Sequence, residues 1–213
     1  MTINATITRH ALAVLSLTLA SFSAPMLPAA QAVEVGGVKI EDSAKVAGKE
    51  LKLNGAGVRT RALFKVYSMG VYLSKKETTV DGVLSAAGPR RITLVMLREV
   101  NSDDFGQAFM TGINANTDKT EKGKLVNQMV KLGEIFQAVG SLKKGDTLTV
   151  DWVPEKGTLI ELNGKSQSDA LPDVAFFNAL LKIWLGDKPA DSSLKPLLLG
   201  GKPPEVASNG QGG

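Results

Sequence analysis

From Arg59 to Leu73 the sequence runs in the two-residue period of a β-strand, while after Ser102 apolar residues recur every four positions. A chain written this way must put a block of strands before a block of helices. In the first block Phe64, Val66, Ser68 and Gly70 fall on one face, and Leu63, Lys65, Tyr67, Met69 and Val71 on the other. RRITLVMLREV, Arg90 to Val100, is apolar through its middle, as a central strand covered on both faces would be. Upstream, Val33 to Ile40 predicts a strand or hairpin and Lys49 to Gly55 another strand, with the Gly-Ala-Gly of 55–57 read as a turn.

The helical block opens at Ser102, where Asp103 and Asp104 would sit at the positive end of the dipole and Phe105, Phe109 and Ile113 form one stripe. A second helix is predicted from about Glu121 to Val139, with Leu125, Met129, Leu132, Phe136 and Val139 inward and Gly140 as its stop. Strands return at Thr147 to Pro154 and Gly157 to Gly164, joined by a Pro-Glu-Lys-Gly turn. A helix from Pro172 to Leu185 and a short one from Ser192 to Leu199 close the chain. Hairpins in place of regular strand–helix alternation indicate an α+β domain, a large antiparallel sheet with a layer of helices on one face.

Residues 1–32 hold Arg9, an apolar run from Ala11 to Ala24, and Ala30 and Ala32 at A-x-A spacing, a secretory signal peptide cut after Ala32. The competing reading is a membrane anchor, for which the run falls short of the roughly 20 residues a span needs. Export to a periplasm or beyond follows. Residues 33–200 form the domain, and 201–213, rich in Gly, Pro and polar residues, read as a disordered tail. No later segment is long enough to cross a bilayer.

Cysteine is absent and the one histidine, His10, lies in the segment expected to be removed. Disulfides, Cys/His metal sites, Ser-His-Asp triads and imidazole acid–base chemistry are thereby excluded from the mature domain, and no cofactor is expected. With 25 basic and 21 acidic residues spread along 213, the charge of +4 makes no nucleic-acid stripe. NANTDKTE, Asn114 to Glu121, lacks the sixth-position Gly and twelfth-position Glu of a calcium loop and reads as a link between helices, with Asn114 and Asn116 just past a helix end. Asp151 beside Trp152, and the aromatics of the helix from Pro172 including Trp184, read as structural.

Arg59 admits two readings. It can point into water, as Arg61 two residues on would. Alternatively it turns inward beneath the helices, where an unpaired guanidinium is strongly destabilising and no acid is spaced locally to meet it. A ligand carboxylate gripped with help from a tyrosine hydroxyl would then supply the counter-charge.

GAGVR followed by KVYSMGVYL resembles the chalcone isomerase superfamily, which carries a G-A-G-x-R turn and a K-x-x-x-x-G-V-Y-L strand. KKGDTLTVDWVPEKGTLIELNG is similar to its paired late strands, and FFNALLKIWLGDKPADSSLKPLLLG to its closing helices. The resemblance implies an open-faced β-sandwich with a cleft between sheet and helices. In the plant isomerases an arginine, a threonine, a tyrosine and an asparagine hold the flavonoid and a water. Here the arginine is Arg59, the threonine position reads Tyr67, the tyrosine position most nearly matches Phe105, and the asparagine falls near Gly112, with Asn114 an approximate substitute. Arginine plus tyrosine instead resembles the fatty-acid-binding, non-catalytic branch. That implies a small amphipathic carboxylate as partner, its head on Arg59 and Tyr67 and its tail running between sheet and helices past Phe105, Phe109 and Ile113. Tyr72, an odd number of residues from Tyr67, would be structural. The alternatives are a cofactor-free isomerase or lyase using Arg59 as electrophile and Tyr67 as acid, and an envelope interaction module.

Overall fold

The computed structural model describes residues 32–202; the expected signal segment up to residue 31 and the tail from residue 203 lie outside them. In chain order the elements are β1 (Ala32–Val35), β2 (Val38–Glu41), β3 (Ser43–Val46), β4 (Lys49–Arg61), β5 (Phe64–Leu73), α1 (Val80–Ser85), β6 (Arg90–Met96), β7 (Val100–Asn101), α2 (Ser102–Asn116), α3 (Lys119–Val139), β8 (Ser141–Leu142), β9 (Thr147–Val153), β10 (Gly157–Leu162), β11 (Lys165–Ser166), α4 (Val174–Leu185) and α5 (Leu194–Leu198). Seven strands form one antiparallel sheet in the order β11-β10-β9-β6-β5-β4-β3. The α+β reading is therefore correct. Met69, Val71 and Leu73 of β5, with Ile92, Leu94 and Met96 of β6, share an apolar cluster with the inward stripes of α2, α3 and α4. On the far face a smaller cluster of Val35, Ile40, Val46, Leu51, Leu53 and Tyr72 is covered by the β1–β2 hairpin.

The first long helix, α2, starts at Ser102 as expected, while α3, α4 and α5 each start two residues from the expected position. Asn101, not Ser102, caps α2: its Oδ1 accepts from the N–H of Asp103 at 2.8 Å and of Asp104 at 3.4 Å, while Ser102 is buried and donates to the Phe136 carbonyl. Asp118 caps α3, accepting from Glu121 N–H at 2.8 Å, and Gly140 ends it at φ 75°. Asn114 and Asn116 thus lie inside α2 instead of following it. The sequence stretch between Leu73 and Arg90 holds α1, which no periodic pattern announced because the helix is six residues long. Nor is β6 covered fully on both faces: Arg91, Thr93 and Val95 are half-buried, and Arg91 forms a two-pronged pair with Asp151, both contacts 2.6 Å. Asp151 is buried by that pairing.

The largest departure is in β4. Gly55, Ala56 and Gly57 are strand residues, not a turn, and β4 runs unbroken through them. Their glycines admit α5: a Cβ on Gly55 would stand 2.0 Å from the Leu197 carbonyl oxygen, and one on Gly57 2.6 Å from Leu194 Cδ1. The turn comes later, at Ala62 and Leu63, so the predicted strand from Arg59 to Leu73 is really the end of β4 and all of β5. Ala62 makes it at φ 53°, a region glycine or asparagine normally fills.

Register then decides which way Arg59 points. Leu53 pairs with Tyr72 and Gly55 with Val71, so Asn54 is skipped in a bulge. Directly paired residues share a face, which puts Leu51 and Leu53 with Tyr72 on the hairpin side, and Gly55, Gly57 and Arg59 with Val71, Met69 and Tyr67 on the helix side. Asn54 holds the bulge, donating to the carbonyls of Glu77 at 2.9 Å and Leu198 at 2.8 Å and accepting from Glu77 N–H at 2.7 Å. A second shift lies between Arg59 and Thr60, where Val66 drops out of the pairing. There Phe64 and Val66 both reach the same cleft as Tyr67. Tyr72 is structural as expected, its hydroxyl donating to the Glu41 carbonyl at 2.9 Å.

Candidate functional site

A cleft of about 780 Å³ opens between α2, the tip of the β4–β5 hairpin, the β6–β7 link and the loop after α4. It exists because α2 presents small residues there: Ala108, Gly112 and Ala115 recur at three- and four-residue spacing along its wall. Gly112 also lets α4 approach, since a Cβ on it would lie 2.7 Å from Ile183 Cγ2. Arg59, Tyr67, Phe105 and Phe109 all line this cleft. Ile113 and Asn114 do not. Ile113 is fully buried in the core, and Asn114 is exposed on α2 outside the lining.

The floor is an aromatic cluster. Phe105 and Phe109 stand with ring centroids 4.8 Å apart, each 5.4 Å from Phe136, and Phe109 meets Trp184 edge-on at 5.4 Å. Such rings fill the space between sheet and α2, so the cleft runs along the helix over Phe105 and Phe109 instead of passing between the layers to Ile113. The expected path for an apolar tail is corrected accordingly.

Arg59 and Tyr67 are cross-strand partners at the inner end. Tyr67 is buried, and Trp184 Nε1 donates to its hydroxyl oxygen at 2.8 Å. Burial pushes the hydroxyl up to about 12, against the opposing pull of the Trp184 hydrogen bond and the Arg59 charge. Sequence reasoning had placed Trp184 in the core alone, where it does sit, and missed that its N–H is what orients the tyrosine.

The counter-charge for Arg59, expected from a ligand because no acid is spaced locally, is supplied in part by the protein from far along the chain. Asp191, from the turn before α5, places Oδ2 3.8 Å from Arg59 Nη1, with the two side chains 9% and 17% exposed. That separation is too long for a hydrogen bond. Asp191 is instead held by Thr60 N–H at 2.9 Å, Ser193 N–H at 3.0 Å, Ser193 Oγ at 2.6 Å and Leu194 N–H at 3.3 Å. Burial pushes its carboxyl up, and those hydrogen bonds more than offset this and hold it below the ordinary range. Arg59 Nη1 donates to the Thr60 carbonyl. The Arg59 guanidinium also lies beside the Tyr67 hydroxyl, whose pKa it draws down, and Arg59 lines the cleft. Asp191 lies 132 residues from Arg59, and nothing local in either segment signals the pairing.

The rim carries Arg61, Arg98 and Lys188 as well, against Glu99 and Asp104. Lys188 is positioned by Asn116, which accepts from its N–H at 2.8 Å and donates to its carbonyl at 3.0 Å. The most deeply buried guanidinium is elsewhere. Arg90, 2% exposed, donates to the carbonyls of Val83 at 3.3 Å and Leu84 at 2.9 Å and to Asn178 Oδ1 at 2.8 Å, with its cation 4.9 Å from the Phe177 ring centre. Burial pulls it down to about 10, still a cation at neutral pH, and the carbonyl end of α1 takes the role of counter-charge. Among the described residues no group of acids or histidines is placed to hold a metal ion, and no helix is long and apolar enough to cross a membrane.

A family model described as chalcone isomerase-like matches residues 32–200. No curated protein sequence matches the chain. Among solved structures, a fatty-acid binding protein of Arabidopsis thaliana is similar with a TM-score of 0.60 at 14% identity, covering 76% of this chain and 92% of its own. At that identity the likeness concerns the fold.

Proposed function

Because the chain belongs to the chalcone isomerase-like family, we propose that its cleft binds a small amphipathic carboxylate, a fatty acid in the first instance, and leaves it chemically unchanged. The observation that supports this is the pairing of Arg59 with Tyr67 at the inner end of the cleft. Trp184 uses the phenol oxygen as acceptor, which leaves the tyrosine hydrogen to donate to a head group that the arginine fork holds. The similar Arabidopsis protein, a fatty-acid binding protein, supports the same class of ligand. The tail then lies on Phe105 and Phe109 and contributes about 25 cal/mol per Å² buried.

Turnover is disfavoured by the same geometry. An acid whose pKa stands near 12 gives up its proton poorly at neutral pH, and Phe105 offers no hydroxyl. Asp191 acts as a resident competitor for Arg59, keeping the cation neutralised when the cleft holds no anion.

Calorimetry with saturated fatty acids tests this in two directions. Arg59→Gln weakens the acid by about 1.5–3 kcal/mol, the scale of a charge-assisted hydrogen bond, and leaves the alcohol of equal chain length unaffected. Asp191→Asn, which keeps an acceptor oxygen for the Ser193 turn, tightens the acid. Equal affinity of all three proteins for the acid would remove the pair from the site. We further propose that the protein works after export, with residues 1–32 removed; N-terminal sequencing of the secreted form then begins at Val33, and a start at Met1 would refute it.

A further inference from the structure

The β4–β5 hairpin ends in two exposed apolar side chains, Leu63 at 93% and Phe64 at 62% exposure, the highest values among the large apolar residues of the described chain. Single exposed apolar residues are ordinary. These two are adjacent at the end of the hairpin: Leu63 occupies a turn position where Gly, Asn or Asp is usual, and Phe64 opens β5 directly after it. The turn even adopts a left-handed conformation at Ala62 without glycine. Cations surround them: Arg61 and Lys65 flank the tip, both exposed, and the Arg98 guanidinium lies 5.1 Å from the centre of the Phe64 ring. Glu99 is the nearby acid on the β6–β7 link. Arg61, Ala62 and Phe64 also line the mouth of the cleft, so tip and cleft are continuous.

We propose that this hairpin tip docks on a lipid bilayer bearing anionic headgroups, with Leu63 and Phe64 entering the interface and Arg61, Lys65 and Arg98 on the headgroups. An apolar tip ringed by cations is the charge and polarity complement of such a surface, and each cation near it strengthens binding by about fivefold. The mouth of the cleft is then presented to the membrane, where an amphipathic ligand can pass in or out without crossing water. Docking requires neither Arg59 nor a bound ligand, so it stands or falls apart from the ligand reading.

The test is co-sedimentation with phosphatidylcholine vesicles, with and without an equal share of phosphatidylglycerol and with no free fatty acid. Every variant carries the same chain ends, so that any contribution of the N-terminal segment is common to all. The wild-type chain binds the anionic vesicles preferentially. Leu63→Ser with Phe64→Ser reduces the bound-to-free ratio at least tenfold, and Arg61→Gln with Lys65→Gln removes most of the preference for the anionic lipid. Val126→Ser with Val130→Ser, exposed apolar positions on α3, changes nothing. Equal binding of the wild type and the Leu63/Phe64 variant overturns the proposal. So does a wild-type dimer in sedimentation velocity without lipid that this variant abolishes, because the tip would then be a contact between copies of the chain.

Discussion

Phe109→Ala is expected to lower the unfolding free energy by about 3–5 kcal/mol, the usual cost of deleting a buried ring. Phe109 meets Phe105, Phe136 and Trp184 at centroid distances of 4.8–5.4 Å, and no neighbour can relax into its place without abandoning another ring contact. Since the ring also forms part of the cleft floor, its removal deepens the cleft. Urea unfolding read at constant slope measures the loss. An alkane-chain ligand that fills the space should restore part of it in the variant and add less to the wild type. A loss under about 1 kcal/mol would mean that the aromatic cluster repacks freely.

Alkaline pH is expected to destabilise the protein by about 2–4 kcal/mol between pH 10 and 12. Burial pushes both Tyr67 and Tyr72 up to about 12 from an ordinary 10.0. Over that interval the unfolded chain has released protons that the folded chain still holds, so stability falls as pH rises; below pH 10 the contribution is fully present. Tyr67 accounts for about 2 kcal/mol of the change by this linkage. Tyr72 contributes less, because its hydroxyl bond to Glu41 is only partly shielded from solvent. Unfolding midpoints measured at pH 9 and pH 11.5 give the slope, and Tyr67→Phe removes most of it. A profile equally steep in that variant would show that the phenol is not the group responsible.

Trp184 links the two predictions. It closes the aromatic cluster on Phe109 and, through Nε1, fixes the hydroxyl of Tyr67. The head-group end of the cleft and the core beneath it are therefore one packed unit, and a change that loosens the rings should also misplace the tyrosine. This coupling explains why a residue at plain core spacing on α4 matters to the candidate site.

Four of the six expected site residues come together in the cleft: Arg59, Tyr67, Phe105 and Phe109. Their recognition rested on short motifs and on helical spacing, which are local properties. Ile113 continues the Phe105–Phe109 stripe but lies deeper, because the stripe faces the core and only its first two turns border the cleft. Asn114 is expected just past a helix end, but α2 runs on to Asn116, at least three residues further. The hairpin at Ala62–Leu63 escaped notice for a different reason. Its turn contains none of the residues that mark turns, and the very substitution that hides it leaves Leu63 and Phe64 in solvent.

The amino-acid sequence by itself determined the main strands and the long helices, though not α1 or the β4–β5 turn, since period-two and period-four patterns are set by burial within a few residues of each position. It also determined the composition of the helical core and brought an arginine and a tyrosine near each other. Tertiary structure alone decided the direction in which that arginine points. One extra residue, Asn54, shifts the β4–β5 register and carries every later side chain of the strand to the opposite face, and what holds it there are the backbone atoms of Glu77 and Leu198, 23 and 144 positions away. The partners of the site followed the same logic: Asp191 reaches Arg59 and Trp184 reaches Tyr67 only because the closing helices fold back over the sheet. Side-chain facing and ionic pairing are long-range outcomes of packing, and no pattern confined to neighbouring residues encodes them.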